Sequence, residues 1–240
     1  MKEPKKIGML TPSSNTILEP VCSRMLNDLP EVTCHFSRFE VTKISLEQDA
    51  LRQFDFEPML RAAELLAHAE VDVIAWNGTS GGWLGFDVDR ELCSQITKVT
   101  GIPATTSMLA QLEAFAENDV KTCHLVTPYI PEINERIAKQ YREHGIEVLR
   151  MEGCSQTVNR SFSLVDYDRI EGMIKSVSAL PADALSIVCT NFPAINRAEY
   201  YEQTYHMTLY DTIAVVLWQA LKMVDINPRS IKGWGRLFTG

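Results

Sequence analysis

The chain holds 240 residues, 45% of them hydrophobic and 22% charged, with a formal net charge of -8. That is material for one large domain or two small ones, of ordinary globular composition, and its acidic balance speaks against a nucleic-acid partner. It contains no low-complexity tract and no apolar run long enough to cross a bilayer.

The charged start, Met1-Lys-Glu-Pro-Lys-Lys6, leads directly into an apolar strand pattern with no signal-peptide core behind it, so a cytoplasmic protein is expected. From there apolar runs, polar turns and amphipathic stretches alternate. The patterning predicts strands over 7–10, 32–36, 71–76, 104–105, 122–126, 147–151, 185–188 and 207–209. It predicts helices over 15–27, 56–68, 90–100, 107–117, 131–144, 167–180, 194–203 and 212–223. Alternation of this kind argues for α/β architecture, a parallel sheet with helices on both faces.

The two halves also match each other. Met9-Leu-Thr11-Pro12 answers Leu125-Val-Thr127-Pro128; Val71-Asp72 through Gly78-Thr79-Ser80 answers Ala182-Asp183 through Cys189-Thr190-Asn191; Thr105-Thr-Ser107 answers Tyr210-Asp-Thr212. Three collinear matches predict two pseudo-symmetric lobes, the first from 1–117 with 212–240 and the second from 118–211. The segment Gly233-Trp-Gly-Arg236-Leu-Phe238 is expected to return to the first lobe. Facing lobes would bring the strand-end turns of both to one cleft, where open α/β sheets hold their ligands.

Four turns carry chemistry. Thr11-Pro-Ser-Ser14-Asn15 presents hydroxyls and backbone N–H groups at a helix start, which suits an anion and equally suits an ordinary N-cap. Asn77-Gly78-Thr79-Ser80-Gly81-Gly82 is a second anion cradle, without the glycine spacing of nucleotide loops. Tyr129 offers a phenol to developing negative charge, or packs at the core edge. Cys189 ends the buried run Leu185-Ser-Ile-Val188; a thiol ahead of a helix is expected to have a lowered pKa and to serve as acid, base or nucleophile. The other cysteines, Cys22, Cys34, Cys93, Cys123 and Cys154, show no metal-ligand spacing and read as free, mostly buried thiols, and no metal site is expected. None of the five histidines falls on a strand-end turn.

Together these motifs, with Thr127-Pro-Tyr129-Ile-x-x-Ile-Asn134-Glu-Arg136 and the closing Gly233–Phe238 segment, resemble the aspartate/glutamate racemase superfamily. Within it they resemble the branch of arylmalonate decarboxylase and maleate cis-trans isomerase. The resemblance implies a cofactor-free enzyme with an active site between two lobes. It implies that racemases and maleate isomerases use one cysteine from each lobe, and that arylmalonate decarboxylase keeps only the second, with a Gly-Thr-Ser and tyrosine hole for a carboxylate. Here the place facing Cys189 is Gly78, so a two-thiol racemase is disfavoured, and the first-lobe nucleophile of a maleate isomerase is missing. Decarboxylation needs only a hole for an enediolate, from Thr79, Ser80 and Tyr129, and one acid, Cys189.

Other residues point toward the isomerases. Asn15 and Asn159 fall where those enzymes hold a carboxylate, Cys189-Thr190-Asn191 is nearer their pattern, and Ser14, Thr190 and Asn191 are candidate carboxylate contacts. Arg38 is a candidate second clamp. These features favour a small polar dicarboxylate over an aryl-lined pocket. Three readings follow: a malonate-type decarboxylase, a maleate-isomerase-like enzyme, or a catalytically silent dicarboxylate binder.

Overall fold

The computed structural model describes residues 3–239; residues 1, 2 and 240, at the outer ends of the expected first lobe, lie outside it. The first half runs β1 (Lys5–Pro12), α1 (Leu18–Met25), β2 (Val32–Phe39), α2 (Gln48–Leu51), α3 (Phe56–Ala67), β3 (Val73–Trp76), α4 (Gly81–Leu84), α5 (Phe86–Thr100), β4 (Ala104–Thr106) and α6 (Ser107–Glu117). The second runs β5 (Thr122–Thr127), α7 (Pro131–Glu143), β6 (Glu147–Gly153), α8 (Asn159–Phe162), α9 (Tyr167–Val177), β7 (Ala184–Ile187), α10 (Ala198–Tyr205), β8 (Thr208–Asp211) and α11 (Thr212–Met223).

All eight strands appear as expected, in two four-stranded sheets of order β2-β1-β3-β4 and β6-β5-β7-β8, parallel throughout. The order is the same in both. The central strands are buried on both faces, which is why they read as continuous apolar runs: Val73–Trp76 and Ala184–Ile187 have no exposed position.

The repeat extends to small anchoring details. The Asp72 carboxylate accepts from Lys6 N, and Asp183 accepts from the N–H groups of Lys121 and Thr122, so each carboxylate closes the start of its central strand. Thr106 Oγ1 accepts from Leu109 N, and Asp211 Oδ1 from Ile213 N, so each caps the helix that follows its edge strand.

Those two helices, α6 and α11, pack against each other and fasten the lobes together. Nine of the twelve residues of α11 are buried, as suits a helix covered on all sides. It contacts β3 and β4 of the first sheet and β8 of the second, so its sequence-based assignment to the first lobe describes only one of its faces. On α6, Gln111 Nε2 donates to Ser186 Oγ at 3.0 Å and to the Tyr210 carbonyl at 2.9 Å, while Tyr141 donates to Gln111 Oε1.

Several boundaries differ from expectation for local reasons. The helix expected from residue 15 starts at Leu18, because Asn15 Oδ1 stays outside it and accepts from the N–H groups of Ile17 and Leu18. The helix expected from 90 starts at Phe86, after Gly85 (φ 113°) breaks it from the short α4. The helix expected over 194–203 opens as a 3-10 turn, Pro193–Arg197, before α10. The closing segment does not simply return to the first lobe. Arg236–Phe238 lies on β8 and α11, with Arg236 N donating to the buried Glu202, and Trp234 reaches the first lobe through the Arg24 guanidinium. Among the described residues no helix is long and apolar enough to cross a membrane.

Asp89, on α5, is buried and accepts from the Thr106 hydroxyl; burial pushes its carboxyl up to about 7. A raised carboxyl favours the protonated native state. Its contribution is complete below the ordinary value of 3.8 and disappears as pH climbs through about 7. Asp89→Asn should therefore flatten the fall in melting temperature between about pH 5 and about pH 8. Thermal melts across that window check it; Asp211, raised to about 8 by the same cause, contributes a slope of the same sign that the substitution leaves in place.

Candidate active site

The carboxyl ends of β1, β3, β5 and β7 meet between the lobes, and the loops there finish their hydrogen bonding on the opposite lobe. Thr190 Oγ1 donates to the Asn77 carbonyl at 2.8 Å, and Asn15 Nδ2 donates to the Thr190 carbonyl at 2.9 Å. Asn191 Oδ1 accepts from Thr16 N at 2.9 Å, and its Nδ2 donates to the Asn159 carbonyl at 2.7 Å. Thr79 Oγ1 and the Tyr129 hydroxyl stand 2.7 Å apart across the cleft.

These contacts enclose a cavity. Its polar side is Thr79, Tyr129, Asn159, Cys189 and Thr190; its apolar side is Pro12, Val41, Ile44, Phe54, Trp76 and Trp83; Gly78 completes the wall. The space left is about 20 Å³, room for about one water molecule. A larger open hollow of about 470 Å³, around Leu112 and His144, lies at the amino ends of β5 and β6, away from every strand-end turn.

Cys189 is 2% exposed. Its thiol was expected to be acidified; instead burial pushes it up to about 12. The expectation assumed a helix directly behind the thiol, whereas a loop and a 3-10 turn follow it, so the helix-terminus field is weak. Two donors work against burial: the Tyr129 hydroxyl, and Asn191 N, which lies 3.4 Å from Sγ. Burial wins, and at neutral pH the thiol keeps its proton. Tyr129 is itself held well above the ordinary phenol value by burial, which outweighs the opposing hydrogen bond with Thr79.

Of the residues singled out on sequence, Thr79, Tyr129, Asn159, Thr190 and Cys189 are gathered on the cavity with Gly78. Ser80 is buried just behind it, at the start of α4. The remainder are occupied elsewhere. Both Asn15 groups are used within the protein, by Thr190 and by the backbone of α1. Ser14 Oγ donates to the Val41 carbonyl at 2.7 Å and accepts from Asn159 Nδ2 at 2.8 Å, and so braces the wall from behind. Asn191 ties the lobes together. Arg38 does not reach the cavity: it forks onto Glu19 and donates to the Ser13 and Asn15 carbonyls.

Sequence reasoning missed the apolar wall. Trp76, Trp83, Phe54, Ile44 and Val41 give the cavity aromatic and aliphatic faces, contrary to the expected small polar site. Trp83 and Phe162 both meet Tyr129 edge-on, with ring centroids 5.4 Å apart in each pair. Strand periodicity was the available signal for Trp76, because positions 76 and 78 share one side of an extended chain.

Comparison with known proteins places this arrangement. The family model described as arylmalonate decarboxylase matches residues 16–238. A maleate isomerase from Pseudomonas putida is 25% identical over 250 residues, spanning 98% of this chain and 97% of the relative. The arylmalonate decarboxylase of Bordetella bronchiseptica is 23% identical over 235 residues, spanning 97% and 95%. Among solved structures, a maleate isomerase from Pseudomonas putida S16 crystallised with maleate superposes with a TM-score of 0.91 at 23% identity, covering 99% and 98% of the two chains. A double mutant of arylmalonate decarboxylase in its liganded form superposes with a TM-score of 0.85 at 19% identity, covering 98% of each. The match extends over nearly the whole chain, and the chain belongs to the arylmalonate decarboxylase family, in the branch of the aspartate/glutamate racemase-like superfamily that also holds the maleate isomerases.

Proposed function

We propose that the protein is a cofactor-independent decarboxylase of a 2-substituted malonate-type dicarboxylate, with Cys189 as its proton donor. One observation carries this reading: the place facing Cys189 is glycine, and the space a side chain would enter there is filled by an indole. A Cβ built on Gly78 would lie 1.9 Å from Trp76 Cζ2. The cleft therefore offers one proton-transfer group. Racemisation needs two, and nucleophilic isomerisation needs a thiolate, while the Cys189 thiol is pushed up to about 12.

The chemistry then runs through this chain's own groups. One substrate carboxylate lies against Thr79 and Tyr129, with Ser80 behind them. Loss of the other as carbon dioxide breaks the carbon–carbon bond and leaves its electron pair on an enediolate. The Tyr129 hydroxyl donates to that oxyanion, its donor strength raised by Thr79 donating to it. Cys189 gives its proton to the carbanionic carbon, and the thiolate left behind is met by Asn191 N until water restores the proton. A neutral thiol next to such a donor suits an acid that is spent and recharged in each turnover. The apolar wall favours the reaction, because a carboxylate in a poorly hydrated space loses carbon dioxide more readily. The cavity is smaller than any such substrate, so part of its wall must move aside for entry.

A maleate-isomerase-like activity is the second reading, favoured by the Cys189-Thr190-Asn191 run and by the TM-score of 0.91 to a maleate isomerase. Carbon dioxide release from a panel of 2-substituted malonates is the expected result. Fumarate formed from maleate, with no release from the panel, would replace the first reading by the second. Ligand-induced stabilisation without turnover of either substrate would leave a silent binder.

Cys189→Ala should lower decarboxylation by about 10²–10⁴-fold, the range of a positioned general acid, and Tyr129→Phe by about 10²–10³-fold, the range for one oxyanion donor. Steady-state kinetics on folded variants check both.

Labelling of Cys189 by iodoacetamide should be slow at about pH 7 and still climb about tenfold per pH unit through about pH 10, since the thiolate is the reactive form and the thiol is pushed up to about 12. An ordinary thiol near 8.5 would label far faster at about pH 7 and level off above about pH 9. Peptide mapping after timed alkylation separates the two.

A further inference from the structure

The apolar wall contains two donors that the reaction above does not use. Trp76 Nε1 and Trp83 Nε1 are both buried without a hydrogen-bond partner, and both indoles line the cavity. Buried N–H groups almost always find acceptors, and those that do not gather at functional sites. Trp76 is the better placed. Its ring is fully buried and lies against Phe39 at 4.9 Å between centroids, so its orientation is fixed from behind. Its edge lies over Gly78: a Cβ there would meet Cζ2 at 1.9 Å, Cε2 at 2.4 Å and Cη2 at 2.6 Å. Nε1 is bonded directly to Cε2, so the unpartnered N–H belongs to the edge that borders Gly78. The Gly78 backbone is not in the left-handed region, and only the ring keeps a side chain out. By the internal repeat the counterpart of Trp76 is Ile187, so the second lobe has no equivalent donor.

We propose that Trp76 is a substrate-contacting specificity residue: it occupies the position of the missing first-lobe group, closes the face opposite Cys189, and donates Nε1–H to the substrate's second carboxylate. The first carboxylate is taken by Thr79 and Tyr129, and the thiol holds one face of the reacting carbon. The second carboxylate is thereby left to the other face, where Trp76 stands. No Lys, Arg or His lines the cavity, so this carboxylate is oriented by a neutral donor and left without a counter-ion. That suits a group to be surrendered, and it limits proton delivery to the Cys189 side. The proposal rests on the cleft being a dicarboxylate site, which both the decarboxylase and the isomerase readings require.

The test uses ¹⁵N-labelled full-length Cys189→Ala protein, chosen because its slowed turnover spares the probes during a titration, with phenylmalonate and maleate added separately as probes, and with phenylacetate. The Trp76 indole resonance is assigned by its loss in Trp76→Phe. It should move downfield with either dicarboxylate and stay in place with the monocarboxylate. If a dicarboxylate shifts other cleft resonances and the Trp76 indole stays fixed, the contact is wrong and the dicarboxylate site stands. If neither dicarboxylate moves any resonance or the melting temperature, both the site and the contact fall. A ligand-free measurement stands beside it. Gly78→Cys should lower the melting temperature, and the same change made in Trp76→Leu should cost much less. Equal costs in the two backgrounds would overturn the claim that the indole occupies that space.

Discussion

Everything at the cleft depends on an exchange of hydrogen bonds between the lobes. Thr190 donates to Asn77, Asn15 donates to Thr190, and Thr79 meets Tyr129, so neither set of strand-end loops is satisfied within its own lobe. Backbone carbonyls and side-chain amides buried at this depth are costly to leave unpaired, and the two lobes supply each other's partners. The register that results is tight. Gly78 and Cys189, 111 residues apart in sequence and equivalent by the repeat, belong to the same cavity wall because these bonds hold them there.

The same burial decides what the thiol can do. Desolvation is the largest influence on Cys189, and it outweighs both the phenol and the backbone N–H directed at sulphur. A more open cleft with the same residues would favour the thiolate, hence a nucleophile. A closed apolar one keeps the proton on sulphur. The protonation state of Cys189 and the closure of the wall around it are therefore one constraint: Val41, Ile44, Phe54 and the two indoles keep the proton on sulphur by excluding water.

Much of this was legible in the sequence, and for a physical reason. Continuous apolar runs survive where a strand is buried on both faces, so all eight strands were found, and the equivalence of Asp72 with Asp183 marked the repeat because both carboxylates close the same strand start. What could not be read were outcomes decided by competition among partners. Asn15 and Arg38 carry the right chemistry for a carboxylate, but the backbone of α1 and the Glu19 carboxylate reach them first. The thiol pKa came out with the opposite sign because burial, made by side chains distant in sequence, outweighs the donors near sulphur. Trp76 was visible as a strand residue; that its ring lies over Gly78 depends on a rotamer, which no pattern encodes.

Gln111 has a consequence for how the cavity can open to solvent. With its amide bonded to Ser186 and Tyr210 and its carbonyl taken by Tyr141, one buried side chain bolts the helix of one lobe to the sheet of the other. Rocking the lobes apart would break all three bonds at once, in a place water cannot reach. Enlarging the cavity is therefore easier at the loops that line it than by separating the two sheets. Such an opening would be a local event, with a free energy below that of global unfolding.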